Sequence, residues 1–130
     1  MANVPKELKY TREHEWAKQE GDRVRVGITD YAQEQLGDVV FVELPKVGAK
    51  VTAAKAFGVV ESVKAVSDLF APVSGEVVEA NGELTKKPET VNQEPYGKGW
   101  MIVIKPSNKA DWDQLLTAPQ YEDFLKQAAH

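Results

Sequence analysis

Residues 56–75 decide how this chain folds: Ala56-Phe57-Gly58-Val59-Val60-Glu61-Ser62-Val63-Lys64-Ala65-Val66-Ser67-Asp68-Leu69-Phe70-Ala71-Pro72-Val73-Ser74-Gly75. Residues 56–60 and 69–73 are apolar and β-rich, and residues 75–80 continue the second run. Residues 61–68 between them predict a β-hairpin with Lys64 at its tip. Ser62, Ala65 and Ser67 are small and leave the ammonium reachable by another protein. Pro72 and Gly75 punctuate the return path. A lysine held on a rigid tip is how a group-carrying prosthetic arm is attached. The plainer reading is a surface lysine, and most lysines are only that.

Upstream of the hairpin, residues 8–10 and 15–17 predict short strands, with a polar turn over residues 19–22. Val24, Val26 and Ile28 alternate with Arg25, Gly27 and Thr29, the pattern of a half-buried strand. Asp30 predicts the cap of a short helix that Gly37 ends. Residues 38–44 predict another strand, and Pro45-Lys46-Val47-Gly48 turns the chain. Residues 51–54 lead into the hairpin. Val59-Val60 and Val77-Val78 put apolar groups on both faces of their strands, as expected between two sheets.

Downstream, residues 81–91 are polar and irregular, with one short helix expected after Pro88. Residues 100–105 predict the last strand. Trp112, Leu115 and Leu116 share one helical face, as do Tyr121, Phe124, Leu125 and Ala128, and Pro119 suits the start of the second helix. Short strands with Gly/Pro turns followed by helices predict a mainly β sandwich or flattened barrel with a C-terminal helical cap over about residues 108–128. The pattern is that of a single domain over residues 1–130.

The composition narrows the function classes. Of 130 residues, 42% are hydrophobic, enough for one core, and 28% are charged. A net charge of −4 with scattered basic residues argues against nucleic acid as the main partner. The chain has no cysteine, which removes disulfides, thiolate catalysis and Cys-based zinc sites. The N-terminal ten residues lack an apolar signal core, and no run approaches the roughly 20 apolar residues of a membrane helix. The expectation is a cytoplasmic protein that is not membrane-bound.

Three groupings of side chains bear on chemistry. Glu13-His14-Glu15-Trp16 offers a histidine flanked by carboxylates, a possible base, ligand or substrate contact. On a strand, Glu13 and Glu15 would share one face and His14 the other. The plainer reading is a strand end with solvated carboxylates and a packed tryptophan. The other histidine, His130, is terminal, so a two-histidine metal site is not expected. Glu61 and Asp68 flank Lys64 and read as an acidic collar that attracts a cation, or as ordinary solvated charge. Gly97-Lys98-Gly99-Trp100 precedes a strand, whereas a phosphate loop opens a helix; a tight turn is expected.

With these residues in view, the chain resembles the H-protein family of the glycine cleavage system. The similarity runs through Leu8-Lys9-Tyr10, His14-Glu15-Trp16 and Val26-Gly27-Ile28-Thr29-Asp30-Tyr31-Ala32-Gln33. It continues through residues 36–45, Glu61-Ser62-Val63-Lys64-Ala65, residues 71–76, Asn92-Gln93-Glu94-Pro95-Tyr96 and Gly99-Trp100-Met101. It covers essentially the whole chain, in order.

The resemblance implies a lipoyl/biotinyl-type β-sandwich with extra terminal helices, and a carrier rather than an enzyme, acting as a monomer. It implies lipoate in amide linkage to Lys64, added by a lipoate-attaching enzyme. It implies three further partners: a PLP-dependent glycine decarboxylase, a tetrahydrofolate-dependent aminomethyltransferase and a flavin dihydrolipoamide dehydrogenase. It places a protective cleft near the His-Glu-Trp strand and the lysine hairpin, with Glu15, Asp68 and His14 as contacts for the loaded arm. A biotin carrier places its lysine between methionines, and here the neighbours are Val63 and Ala65. A 2-oxo acid dehydrogenase lipoyl domain has Asp before the lysine and a Pro/Ala-rich linker, and neither is present. A paralogue relaying lipoate to other enzymes, or an unmodified interaction module, stays open at this stage. A self-standing enzyme lacks a nucleophile–base set or metal site.

Overall fold

The structure is a computed structural model and describes residues 3–128. Nine strands, β1 (Lys9–Tyr10), β2 (Glu15–Glu20), β3 (Arg23–Ile28), β4 (Val39–Glu43), β5 (Lys50–Val51), β6 (Ala56–Ser62), β7 (Val66–Phe70), β8 (Gly75–Ala80) and β9 (Ile102–Pro106), form two sheets. One has the order β1-β2-β3-β9-β8-β5 and the other β4-β6-β7. All pairings between named strands are antiparallel. Five short helices complete the described chain: α1 (Asp30–Leu36), α2 (Glu83–Lys86), α3 (Thr90–Gln93), α4 (Ala110–Asp113) and α5 (Ala118–Ala128). This is the expected mainly β, lipoyl-domain-like sandwich.

Most buried apolar side chains meet between the sheets. Val24, Val26 and Ile28 of β3 join Val42, Val60, Leu69, Val77, Ile102 and Ile104 in one cluster. The alternation that predicted β3 is present at Val24, Arg25 and Val26. It fails at Gly27 and Thr29, which are buried too. The Trp16 ring covers Gly27 so closely that a Cβ there would lie 2.7 Å from it. A second cluster holds Leu8, Tyr10, Trp16, Ala118 and Tyr121 beneath α5. Tyr10 and Tyr121 stack with centroids 4.6 Å apart, and such aromatic pairs add about 0.5–1.5 kcal/mol beyond area burial.

Several local expectations are corrected. The cap of α1 is Thr29, whose extended backbone lets Oγ1 accept from Ala32 N at 3.2 Å. Asp30 is the first helical residue and accepts from Asn3 N and Gln33 Nε2. β2 continues to Glu20, leaving Gly21 at φ +64° to make the turn with Asp22. The tip of the lysine hairpin is only Val63-Lys64-Ala65, because β6 and β7 take up its flanks. Residues 75–80 belong to the other sheet.

The polar stretch 81–91 contains α2 and the start of α3, two short helices instead of one. Each buries one apolar residue, Leu84 or Val91. Trp100 lies before β9, where its N–H donates to Gly97 O. α4 stops after one turn, so Leu116 leaves the Trp112 face and exchanges two 2.8 Å backbone hydrogen bonds with Tyr10. No helix among the described residues is long and apolar enough to cross a membrane.

Candidate functional site

The lysine tip is braced by one serine. Ser62, 6% exposed, accepts at Oγ from Lys64 N at 3.3 Å and Ala65 N at 3.1 Å. Its N–H donates to Ala65 O at 2.8 Å. Small as expected, Ser62 leaves the ammonium open to solvent, and it is also the internal support of the turn. Val63 N–H donates to Asp38 O at 3.0 Å, which docks the tip onto the segment between α1 and β4.

That segment is held in turn by Asn92. Its Oδ1 accepts from Val39 N at 2.9 Å, and its Nδ2 donates to Gly37 O at 2.8 Å and to Gln33 Oε1 at 3.1 Å. Gly37 sits at φ +74° beneath the lysine stem, and a Cβ there would lie 3.1 Å from Lys64 Cε. Lys64 itself is exposed, between exposed Val63 and Ala65. The turn is therefore ordered while the side chain stays open to solvent.

A cleft of about 350 Å³ begins on the same hairpin. Ala65, Ser67 and Asp68 line one side, Glu13, His14 and Glu15 another, and Ile28, Leu36, Val60 and Leu69 supply apolar wall. The three cleft candidates read from the sequence therefore come together, on unlike terms.

Glu15 is 1% exposed, so the expectation of a solvated carboxylate fails. Oε1 accepts from Thr11 Oγ1 at 2.5 Å, and Oε2 accepts from Phe70 N at 3.1 Å. Burial pushes its pKa up to about 8, against the two donors, which favour the carboxylate. Neither Thr11 nor the Phe70 N–H carried a local sequence signal, since each matters through a fold contact with Glu15.

His14 does not follow strand alternation, because residues 11–14 form a turn and His14 has φ +72°. Its ring packs against Tyr31, Tyr121 and Phe124. Nδ1 lies 2.8 Å from Tyr121 Oη, which lies 2.8 Å from Thr29 Oγ1. Burial lowers the His14 pKa, with Glu13 opposing, so the ring favours its neutral form. Asp68 is exposed at the cleft rim, and its pairing with Val59 sets its Cβ on the outer face of the small sheet.

The family model described as "Glycine cleavage H-protein" matches residues 8–128. This chain belongs to the glycine cleavage H-protein family. It is a family of lipoyl carriers of the glycine cleavage system. Among H-protein relatives, the glycine cleavage system H protein of Geobacillus kaustophilus is 62% identical over 125 residues, covering 96% of this chain and 98% of that one. The H protein of Carboxydothermus hydrogenoformans is 58% identical over 127 residues, covering 98% of both. A crystal structure of the H protein from Mycobacterium marinum superposes with a TM-score of 0.83 at 42% identity. It covers 98% of this chain and 100% of that one.

Among the described residues no group of three or more His, Cys, Asp or Glu side chains is arranged to hold a metal ion. His130 lies outside the described residues. The residues at the tip fit a lipoyl group: an exposed primary amine on an ordered turn, beside a cleft with apolar walls and a carboxyl at its buried end.

Proposed function

We propose that Lys64 carries lipoate in amide linkage and that this chain is the aminomethyl carrier of a glycine cleavage system. The observation that supports this most is the Lys64 tip, exposed and internally braced, in a chain of the H-protein family. Lys64 Nζ attacks an activated lipoyl carbonyl. The activating group leaves, the nitrogen loses a proton, and a neutral amide replaces the cation. When bound, lipoate supplies a disulfide that takes up electrons and an aminomethyl group. From bond lengths of about 1.5 Å, lysine plus lipoate reaches on the order of 14 Å.

The partners in this reading are the PLP-dependent glycine decarboxylase that loads the arm and the tetrahydrofolate-dependent aminomethyltransferase that unloads it. Dihydrolipoamide dehydrogenase reoxidises the dithiol, and a lipoate-attaching enzyme modifies Lys64. The chain acts as a cytoplasmic, monomeric, single-domain carrier, and the chemistry resides in the partners. The apolar walls of the cleft would exclude water from a loaded arm held there. Glu15 would supply the carboxylate for its ammonium, with Asp68 at the rim and His14 beside them.

The test is modification followed by exchange. Incubation with a lipoate–protein ligase, lipoate and ATP should add one lipoyl amide, mapped to Lys64, and none to Lys64→Arg. The modified protein should support glycine–bicarbonate exchange with the decarboxylase, and the unmodified protein should not. A lipoyl group mapped elsewhere, or equal exchange by both forms, overturns the reading.

A further inference from the structure

Five large hydrophobic side chains stay exposed among the described residues, and four of them cluster around the small sheet: Val63 on the Lys64 turn, Val66 at the start of β7, and Val40 and Phe41 on β4, which pairs with β6. Strand register arranges what lies next to them. Phe41, Glu61 and Val66 are cross-strand partners in one row across the small sheet, and Glu43, Val59 and Asp68 form the next row on that face. The row between, Val42, Val60 and Ser67, faces the other way, and Val42 and Val60 are buried at 3% and 2%.

The outer face is therefore a checkerboard of three apolar and three acidic side chains. None of its carboxylates takes part in an ion pair among the described residues. At about 3.4 Å per residue the two rows lie within roughly 15 Å of the turn.

We infer that this outer face is the docking surface for the enzyme that acylates Lys64, and that the enzyme meets it with apolar side chains interspersed with Arg or Lys. The inference rests on the lipoyl reading above. Two features select this occupant. Acylation requires the enzyme's reacting carbonyl to come within bonding distance of Nζ, so the enzyme must cover the tip and the sheet face beside it. Enzymes that use the finished arm are separated from the tip by its reach of about 14 Å and need not touch these rows.

The second feature is charge. The face offers uncompensated carboxylates around an exposed aromatic, the complement of a basic surface with an apolar centre. Phe41, 46% exposed, is the anchor, because aromatic side chains near an interface centre dominate binding.

The experiment is steady-state acylation of the full chain by a lipoate–protein ligase with lipoate and ATP. It compares Glu43→Lys/Glu61→Lys, Phe41→Ser/Val66→Ser and a control of equal charge change on other elements, Glu76→Lys/Glu83→Lys. Each charge-reversed or apolar-to-serine pair on the face should lower kcat/KM at least about tenfold, mostly through KM, with the control within about twofold.

Long incubation drives the face variants to full modification. Their reoxidation by dihydrolipoamide dehydrogenase should then match the unsubstituted protein. Acylation unchanged in both face variants, equal loss in the control, or equal loss in reoxidation overturns the docking surface. Absence of any acylation at Lys64 of the unsubstituted protein would instead fail the lipoyl reading itself. The two failures are read on different samples. Should the charge pair unfold, as judged by circular dichroism, the serine pair at exposed positions decides the question.

Discussion

The main-chain N–H of Phe70 donates to Glu15 Oε2 at 3.1 Å. One buried carboxyl thus ties the last residue of β7, the returning strand of the carrier hairpin, to the first residue of β2 in the other sheet. The same carboxyl lines the cleft beside Lys64. Its other oxygen is engaged by Thr11, and a carboxylate has further lone pairs for a third donor. Anchoring the hairpin and receiving a cation are therefore compatible roles.

Glu15→Gln should stabilise the unmodified protein at alkaline pH. The folded pKa of about 8 lies above the ordinary 4.5, so between these values the native state holds a proton that the unfolded state has lost. The stability contribution is fully present below pH 4.5 and is lost as pH rises through 8. Glutamine mimics the protonated acid, with Oε1 accepting from Phe70 N and Nε2 facing Thr11. The variant's advantage should grow from near zero at pH 4.5 to a few kcal/mol above pH 8. Urea unfolding of both proteins across this range measures it, and a pH-independent difference would refute the shifted carboxyl.

The loaded arm should respond in the opposite sense. An ammonium in the cleft favours the Glu15 carboxylate, so docking expels a proton from it. Removing that charge costs a sheltered, charge-assisted contact of about 1.5–3 kcal/mol, or roughly ten- to hundredfold in docking. Purified aminomethylated Glu15→Gln should release ammonia faster than the unsubstituted protein in the absence of the transferase. Asp68→Asn, exposed at the rim, should have a smaller effect. Equal rates in all three proteins would remove both carboxylates from the cleft's function.

Gly37→Ala should damage the fold and the lysine together. At φ +74° and ψ −155° an L-residue is strained by on the order of 1–3 kcal/mol. The added methyl would also meet the Lys64 stem at 3.1 Å. The expected result is a lowered thermal midpoint with slower acylation. An unchanged midpoint would show that the α1–β4 segment adapts.

Ser62→Ala tests whether order in the turn matters for modification. It removes the acceptor of the Lys64 and Ala65 N–H groups without adding bulk. Stability should fall by about 1 kcal/mol, and amide hydrogen exchange at Lys64 and Ala65 should accelerate. Acylation should slow through KM, because the ligase would have to order the turn on binding. Faster exchange with unaltered acylation would separate turn order from recognition.

The hairpin, Lys64 at its tip, the strand β3, the C-terminal helix α5 and the family were all legible in the sequence. Each depends on period-2 or helical patterning, on turn residues, or on an ordered set of motifs, which act over a few positions. The state of Glu15 was not legible. Glu13 and Glu15 are identical residues two positions apart, yet Glu13 is exposed and Glu15 buried. The difference comes from Phe70, 55 residues away, and from walls contributed by the small sheet.

The same holds for the cap of α1, where Thr29 displaced Asp30 because its hydroxyl sits between Ala32 N and the Tyr121 hydroxyl from α5. It holds too for the outer checkerboard, since cross-strand rows exist only once β4, β6 and β7 have paired in register. Local pattern determined which elements form and which lysine is presented. Desolvation, pKa and surface adjacency depend on through-space neighbours, and only the tertiary structure decided those.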